Sequence, residues 1–402
     1  MIYGLVLEGG GAKGSYHVGA YKALLDLGIK VNGVAGTSIG ALNGAAIVQG
    51  DLSNLEKLWE EINVDTLFGI DKVEIDKIKD MNLSKINIPY LLNLSKEIIT
   101  NKGLDTSKMR EIIEDFIDEK KIRKSKLDFA LVTVSLTDKQ PIELFKEDIP
   151  KGKLVDYLLA SANFPAFKME KMDGKLFLDG GWYDNLPINL LKRKGYRNFI
   201  AVRTHAIGRI KKINKDEVNV VYIEPTEDLG GIMDFDTKGA EKNMKLGYYD
   251  TIKVFKELKG HKYYIRAYKK NFLQYILEIF DGNEEKIIKI GNLLGFVDFP
   301  VDRMIFEKIF PRLQAILEMK ENSDYQDIIL KLVECIAEKY DEIEKFKIYD
   351  ADDFIKIVVN QFRKSPIRIK RKIPSFICHN RILSLTVKDD LIITIFREIF
   401  FE

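Results

Sequence analysis

Cysteine is nearly missing from this 402-residue chain: Cys335 and Cys378 are the two present, and no CxxC pair occurs. That excludes a disulfide framework and a thiolate zinc site. Histidine is scarce as well. His17, His205, His261 and His379 lie far apart and no HExxH occurs, so no metal and no other cofactor is expected. A charge excess is also lacking, since 63 Lys and Arg stand against 61 Asp and Glu for a net +2. This argues against a dedicated nucleic-acid binder. No run of about 18 apolar residues is found, which excludes a transmembrane helix by the usual length requirement. The segment from Ile2 to Leu7 has neither a basic n-region nor a signal h-region. The expected location is the cytoplasm, with at most peripheral contact at the inner membrane surface. There is no internal repeat and no low-complexity tract. With 46% apolar and 31% charged residues, the chain is globular, and its length suits two domains or one large one.

What the chain does carry is an alternation of short apolar runs and helical segments over its first half. Strands are predicted at 2–7, 31–35, 129–134, 141–145, 176–178, 198–203 and 218–223. Helices are predicted at 15–27, 41–48, 153–160 and 244–258. Strands alternating with helices imply an α/β sheet, mostly parallel and covered on both faces. Residues 60–125 read as helical and charged. Beyond about residue 260 helical periodicity takes over: Ile305, Ile309, Leu313 and Ile316 recur at three- and four-residue spacing, as do Ile329, Leu332, Ile336, Tyr340 and Ile343. The expected division is 1–260 and a helical 261–402.

Three motifs sit in order on this framework. Gly9-Gly10-Gly11-Ala12-Lys13-Gly14 follows the first strand and opens a helix. A dinucleotide site would need an acidic residue at the end of the second strand, where Val34-Ala35-Gly36 stands instead. A P-loop would need Lys and Ser/Thr after its last glycine pattern, and here Ser15 and Tyr16 follow Gly14. An anion hole at a helix N-terminus is the remaining use, formed by the backbone N–H groups of Gly9, Gly10, Gly11 and Ala12. Gly36-Thr37-Ser38-Ile39-Gly40 fits GxSxG between a strand and a helix of small residues, the setting of a nucleophilic serine on a tight turn. For the base, His205 and Asp179 both follow strands, the latter in Asp179-Gly180-Gly181. A carboxylate near its ordinary pKa of about 4 is a poor base for a hydroxyl, and burial would improve it.

Taken together, these motifs resemble those of the patatin-like phospholipase family, over roughly residues 2–260. The resemblance implies a three-layer α/β/α sandwich with a mainly parallel sheet. It also implies a dyad in which Asp179 pairs directly with Ser38. Lys13 matches a basic position of the family's first motif, there to attract a headgroup or tether the loop. Gly14, Gly36, Gly40, Gly180 and Gly181 shape the turns. Ala160-Ser161-Ala162-Asn163-Phe164-Pro165 and Trp182-Tyr183-Asp184-Asn185-Leu186-Pro187 continue the match. Asn185 is expected to order the loop carrying Asp179, and Ser161, without flanking glycines, is a poor rival nucleophile. The implied substrates are phospholipids or related acyl esters, cleaved without calcium. A thioesterase, a transacylase, or a latent membrane- or partner-binding module are the alternatives. The family's helices near the site mouth correspond to 60–125, expected to cap the pocket.

Three further expectations concern partners and packing. His17 is expected to pack rather than react. The basic residues Arg363, Lys364, Arg368, Lys370, Arg371 and Lys372, interleaved with Ile367, Ile369, Ile373 and Phe376, suit either an anionic membrane or the acidic stretch 338–353. Leu391 to Phe401 is apolar on too broad a face for a membrane anchor and is expected in a core or a partner contact, including self-association through the C-terminal domain.

Overall fold

The computed structural model describes residues 2–69, 103–168, 171–268, 271–280, 283–369 and 385–401. The chain divides into two units, 1–254 and 255–402. Cys378, His379, Lys370, Arg371, Lys372, Ile373 and Phe376 lie outside the described residues, as does 70–102 of the expected cap.

The first unit is built on β1 (Tyr3–Leu7), α1 (Ser15–Asp26), β2 (Val31–Thr37), α2 (Ile39–Gln49), α3 (Leu52–Glu61), α4 (Val64–Phe68), α5 (Ser107–Phe116), α6 (Glu119–Lys124), β3 (Asp128–Ser135), β4 (Gln140–Phe145), α7 (Leu154–Ser161), β5 (Phe177–Asp179), α8 (Ile188–Arg193), β6 (Asn198–Val202), β7 (Asn219–Ile223) and α9 (Thr237–Phe255). The sheet order is β4-β3-β2-β1-β6-β7, with β5 paired to β3. β1 pairs parallel with β2 and β6, β2 with β3, and β6 with β7, whereas β4 and β5 run antiparallel to β3. The edge position of β4 explains how it accommodates Pro141, which cannot donate to a ladder.

Strand alternation fixes the layers. Val6, Ala35 and Ala130 stand in register and point into one core with Leu190 and Leu191 of α8. Leu7, Val34 and Phe129 point the other way, against Gly44 of α2. The result is a three-layer α/β/α arrangement with a mainly parallel sheet. Both neighbours of β1 have their carboxyl ends on the same side, and strand order reverses about β1. That is where open α/β sheets place ligands. Helix α9 starts at Thr237, earlier than the predicted Met244, because its first turns bury only Ala240 and Asn243 and so lack an apolar stripe.

The second unit is mainly helical. It holds α10 (Phe272–Phe280), α11 (Glu284–Leu293), α12 (Val301–Met304), α13 (Phe310–Ile316), α14 (Tyr325–Ala337), α15 (Ala351–Lys364) and α16 (Leu385–Phe400). A parallel pair of three-residue strands, β8 (Tyr264–Arg266) and β9 (Ile348–Asp350), was not predicted. A wide π-turn at Ile305–Ile309 joins α12 to α13. Pro311 lacks the N–H that an α-turn would use there. Ile305, Ile309, Leu313 and Ile316 are buried as their spacing suggests. Tyr340 and Ile343 are buried too, but beyond the end of α14. Leu391, Ile395, Phe396 and Ile399 of α16 belong to the same core. Arg363 lies over the Phe401 ring, 5.6 Å from its centroid. No helix among the described residues is long and apolar enough to cross a membrane.

Candidate active site

Two strands share one lane beside β3. β2 approaches from one end and stops at Thr37, opposite Val132. β5 approaches from the other end and stops at Asp179, opposite Thr133. The other side of β3 is taken by β4 over the same residues, so β5 must lie on the β2 side. The residue after Thr37 therefore meets the last residue of β5, and the Ser38 hydroxyl lies close enough to the Asp179 carboxyl to pull its pKa down. This contact is a product of sheet register, not of sequence proximity.

Ser38 sits at φ 57°, ψ −127°, a conformation side-chain-bearing residues rarely adopt. The turn holds because its flanks are glycines. A Cβ on Gly36 would run into the backbone of Gly40 and Ala41, and one on Gly40 into the Leu7 carbonyl. Ser38 caps the N-terminus of α2, where the helix dipole favours a developing alkoxide.

Asp179 is buried, and desolvation pushes its carboxyl up to about 6, although the nearby Ser38 hydroxyl and the Gly181 N–H pull it partly back. The Gly181 N–H donates to Oδ1 at 2.7 Å. A carboxylate so placed is ionised near neutral pH yet more basic than an ordinary aspartate.

The glycine loop corrects part of the sequence expectation. The N–H of Gly9 donates to Asn185 O at 3.1 Å, and that of Ala12 to Ile232 O at 2.9 Å. Neither is free to hold an oxyanion. Gly10 and Gly11 line the cavity with Ser38. No main-chain hydrogen bond from their N–H groups is found among the described residues. Gly11 has φ +56°, and a Cβ there would meet the Ile232 carbonyl. Gly14 is closed in by the Ile39 side chain, which packs the loop onto α2. Lys13 Nζ reaches Thr204 O at 3.4 Å, a tether rather than a headgroup receptor.

Sequence reasoning missed the role of Glu8. This fully buried carboxylate accepts from Thr204 N at 2.6 Å, Arg203 Nε at 2.9 Å and His205 N at 3.1 Å. It fixes the loop after β6 beside the glycine loop. An acidic residue closing an apolar strand was the available signal. Asn185 packs against both Gly9 and Gly181, so it spans the two loops. Gly180 is hemmed in by Val132 and Thr37. Ser161 is buried and holds the serine turn: its Oγ accepts from Ser38 N and donates to Val132 O. His205 is half-exposed, with Nε2 3.6 Å from Glu224, and is not among the hydrogen-bond partners of Asp179. His17 is fully buried, its Nδ1 3.3 Å from Asn43 Nδ2.

Ser38 opens onto a narrow apolar cavity of about 80 Å³ walled by Phe68, Phe164, Phe167, Ile232 and Met233. The arrangement brings together a strained serine, a buried carboxylate, a glycine loop and an apolar pocket.

Residues 5–192 match a family described as patatin-like phospholipase. Neuropathy target esterase sws of Drosophila melanogaster is 27% identical over 203 residues, covering 50% of this chain and 12% of that protein. Lysophospholipase nte1 of Aspergillus fumigatus is 29% identical over 206 residues, covering 51% of this chain and 12% of that one. The chain thus spans about an eighth of the length of these curated relatives. Among solved structures, VipD from Legionella pneumophila aligns at 15% identity with a TM-score of 0.40, over 99% of this chain and 91% of that one.

Proposed function

We propose, from the premise that residues 5–192 are a patatin-like phospholipase domain, that this chain is a lipid acyl hydrolase working through Ser38 and Asp179. The observation that carries this reading is the juxtaposition of the Ser38 hydroxyl with a buried, proton-hungry Asp179 at the mouth of an apolar cavity.

Asp179 takes the Ser38 hydroxyl proton as Oγ attacks the ester carbonyl carbon. The oxyanion is held by the N–H groups of Gly10 and Gly11. Removing one such donor in comparable sites costs roughly 3–4 kcal/mol of barrier. The carbon–oxygen bond to the alcohol breaks, and the leaving oxygen takes the proton from Asp179. Water then gives a proton to Asp179 and attacks the acyl-serine, whose Ser38 oxygen recovers that proton as the fatty acid leaves. Each step uses a carboxylate and backbone donors, so none calls for a metal. The relatives' names, an esterase and a lysophospholipase, support a phospholipid or lysophospholipid ester as substrate.

The test is fatty-acid release from mixed phospholipid vesicles in chelator, comparing wild type with Ser38→Ala and Asp179→Asn. Release abolished by both substitutions is expected. Release that survives Asp179→Asn at full rate would overturn the dyad. A wild type that neither releases fatty acid nor labels at Ser38 with a fluorophosphonate would overturn the hydrolase reading.

A further inference from the structure

A second cavity of about 80 Å³ lies behind the one at Ser38. Its walls are Leu55, Leu58 and Trp59 of α3 and Ile112, Ile113 and Phe116 of α5. The two cavities share four residues, Ile39, Leu42, Met109 and Phe235, which form a thin partition between them. An aromatic row joins them: Phe68 is 5.4 Å from Phe167 and 6.2 Å from Phe235, which stacks 6.3 Å from Trp59.

The second cavity has no use for a polar ligand. Its polar neighbours are already paired, with Trp59 Nε1 donating to Asn43 Oδ1 at 3.1 Å and Asn43 Nδ2 to Gly14 O at 2.8 Å. Protein interiors are otherwise close-packed, so apolar walls around a cavity offer dispersion contacts to the apolar atoms of a ligand. The walls come from apolar stripes. Leu55, Leu58 and Trp59 recur at three- and four-residue spacing, as do Met109, Ile112, Ile113 and Phe116.

We infer that this second cavity is the far end of the acyl subsite. It receives the tail of a substrate chain whose carbonyl lies at Ser38, and so sets chain-length preference. The inference rests on Ser38 as the acyl acceptor proposed above. A short acyl chain such as butyryl ends within the first cavity, on the Ser38 side of the partition. A longer chain must pass the partition, where Met109 is the unbranched side chain best able to swing aside. Each methylene buried beyond it contributes roughly a fourfold gain in kcat/KM.

The test uses p-nitrophenyl butyrate and octanoate with the full chain. Wild type is expected to favour octanoate over butyrate in kcat/KM by at least about tenfold. Leu58→Trp and Ile112→Phe, which fill the second cavity from half-buried positions, are expected to bring that ratio to within about twofold of one. A Ser38-dependent ratio that neither variant moves overturns the inference while leaving the hydrolase reading intact. A second arm is independent of turnover: dodecanoate binding to Ser38→Ala by calorimetry, expected to weaken at least tenfold when Leu58→Trp or Ile112→Phe is added. Dodecanoate bound and lost in this way, with no Ser38-dependent turnover, would support the cavity and sink the hydrolase. Dodecanoate that does not bind, or binds equally in the filled variants, sinks the cavity.

Discussion

The Ser161 hydroxyl accepts the backbone N–H of Ser38 at 3.0 Å and donates to Val132 O at 2.7 Å. One side chain from the end of α7 thus ties the strained serine turn to β3. It also occupies the Ser38 N–H, so that group cannot join an oxyanion hole. Ser161→Ala would leave two buried backbone groups unpaired, at about 1–3 kcal/mol each. We expect kcat to fall about 10- to 100-fold with little change in KM, because the turn relaxes while the cavity stays. Ser161→Thr keeps the hydroxyl and should restore part of the rate. Equal losses in kcat and KM, or no rescue by threonine, would mean that Ser161 only packs.

Asp179 should be legible in the pH profile. As base it must be ionised, and burial holds its carboxyl up at about 6. Below that value kcat/KM should fall close to tenfold per pH unit, with a plateau above about 7. An ordinary carboxylate near 4 would leave the profile flat across the same range. Asp184 is the control: burial raises it to about 6 as well. Its Oδ1, though, accepts from the N–H groups of Leu186 and Lys211 rather than from Ser38. Asp184→Asn should therefore leave the kinetic pKa in place, whereas a flat wild-type profile would remove Asp179 from the base role.

The parts that were legible in the sequence are those set by local chemistry. Glycines at 36 and 40 around Ser38 mark a strand-to-helix turn because each would clash if it bore a side chain. Apolar runs of the right length marked the sheet strands. Which backbone donors remain free was not legible. That depends on Asn185 and Ile232, which arrive from far along the chain to claim Gly9 and Ala12. The meeting of Ser38 with Asp179 came from family resemblance; its cause, two strands sharing a lane beside β3, is a matter of register. β8 and β9 were missed because three residues are too few for alternation to show. The polar start of α9 is stabilised by packing rather than by propensity. Ala240, in those first turns, is buried in one cluster with Val18, Leu55 and Trp59.

His17 should make the fold acid-sensitive. Complete burial lowers its pKa from 6.5 to about 3, and its Nε2 has no hydrogen-bond partner among the described residues. Between those values the unfolded chain binds the proton and the native state does not. Stability from this group is therefore full above 6.5 and is lost as pH falls towards 3, by about 3 kcal/mol at pH 4. His17→Leu removes the titrating group at similar volume. Urea denaturation at pH 7.5 and pH 4 should show a wild-type loss larger than the variant's by about that amount. Equal losses in the two proteins would place the acid sensitivity elsewhere.

Asp179 works in the opposite direction, because its native pKa is raised rather than lowered. Between about 4 and 6 the native state holds a proton that the unfolded chain has released, so this contribution to stability falls as pH rises through that window. The shift from 3.8 to about 6 corresponds to a deficit of up to about 3 kcal/mol above pH 7. Asp179→Asn abolishes the charge but keeps an oxygen to accept the Gly181 N–H. We expect it to be more stable than wild type at pH 8 by up to that amount, with the difference vanishing below pH 4, as read from urea midpoints at the two pH values. An inactive variant that is the better folder would mean that the buried carboxylate is retained for proton transfer and against stability, as happens at strained active sites. If Asp179→Asn is instead less stable at pH 8, the hydrogen bonds to the ionised carboxylate outweigh its desolvation, and Asp179 would serve the fold as much as the reaction.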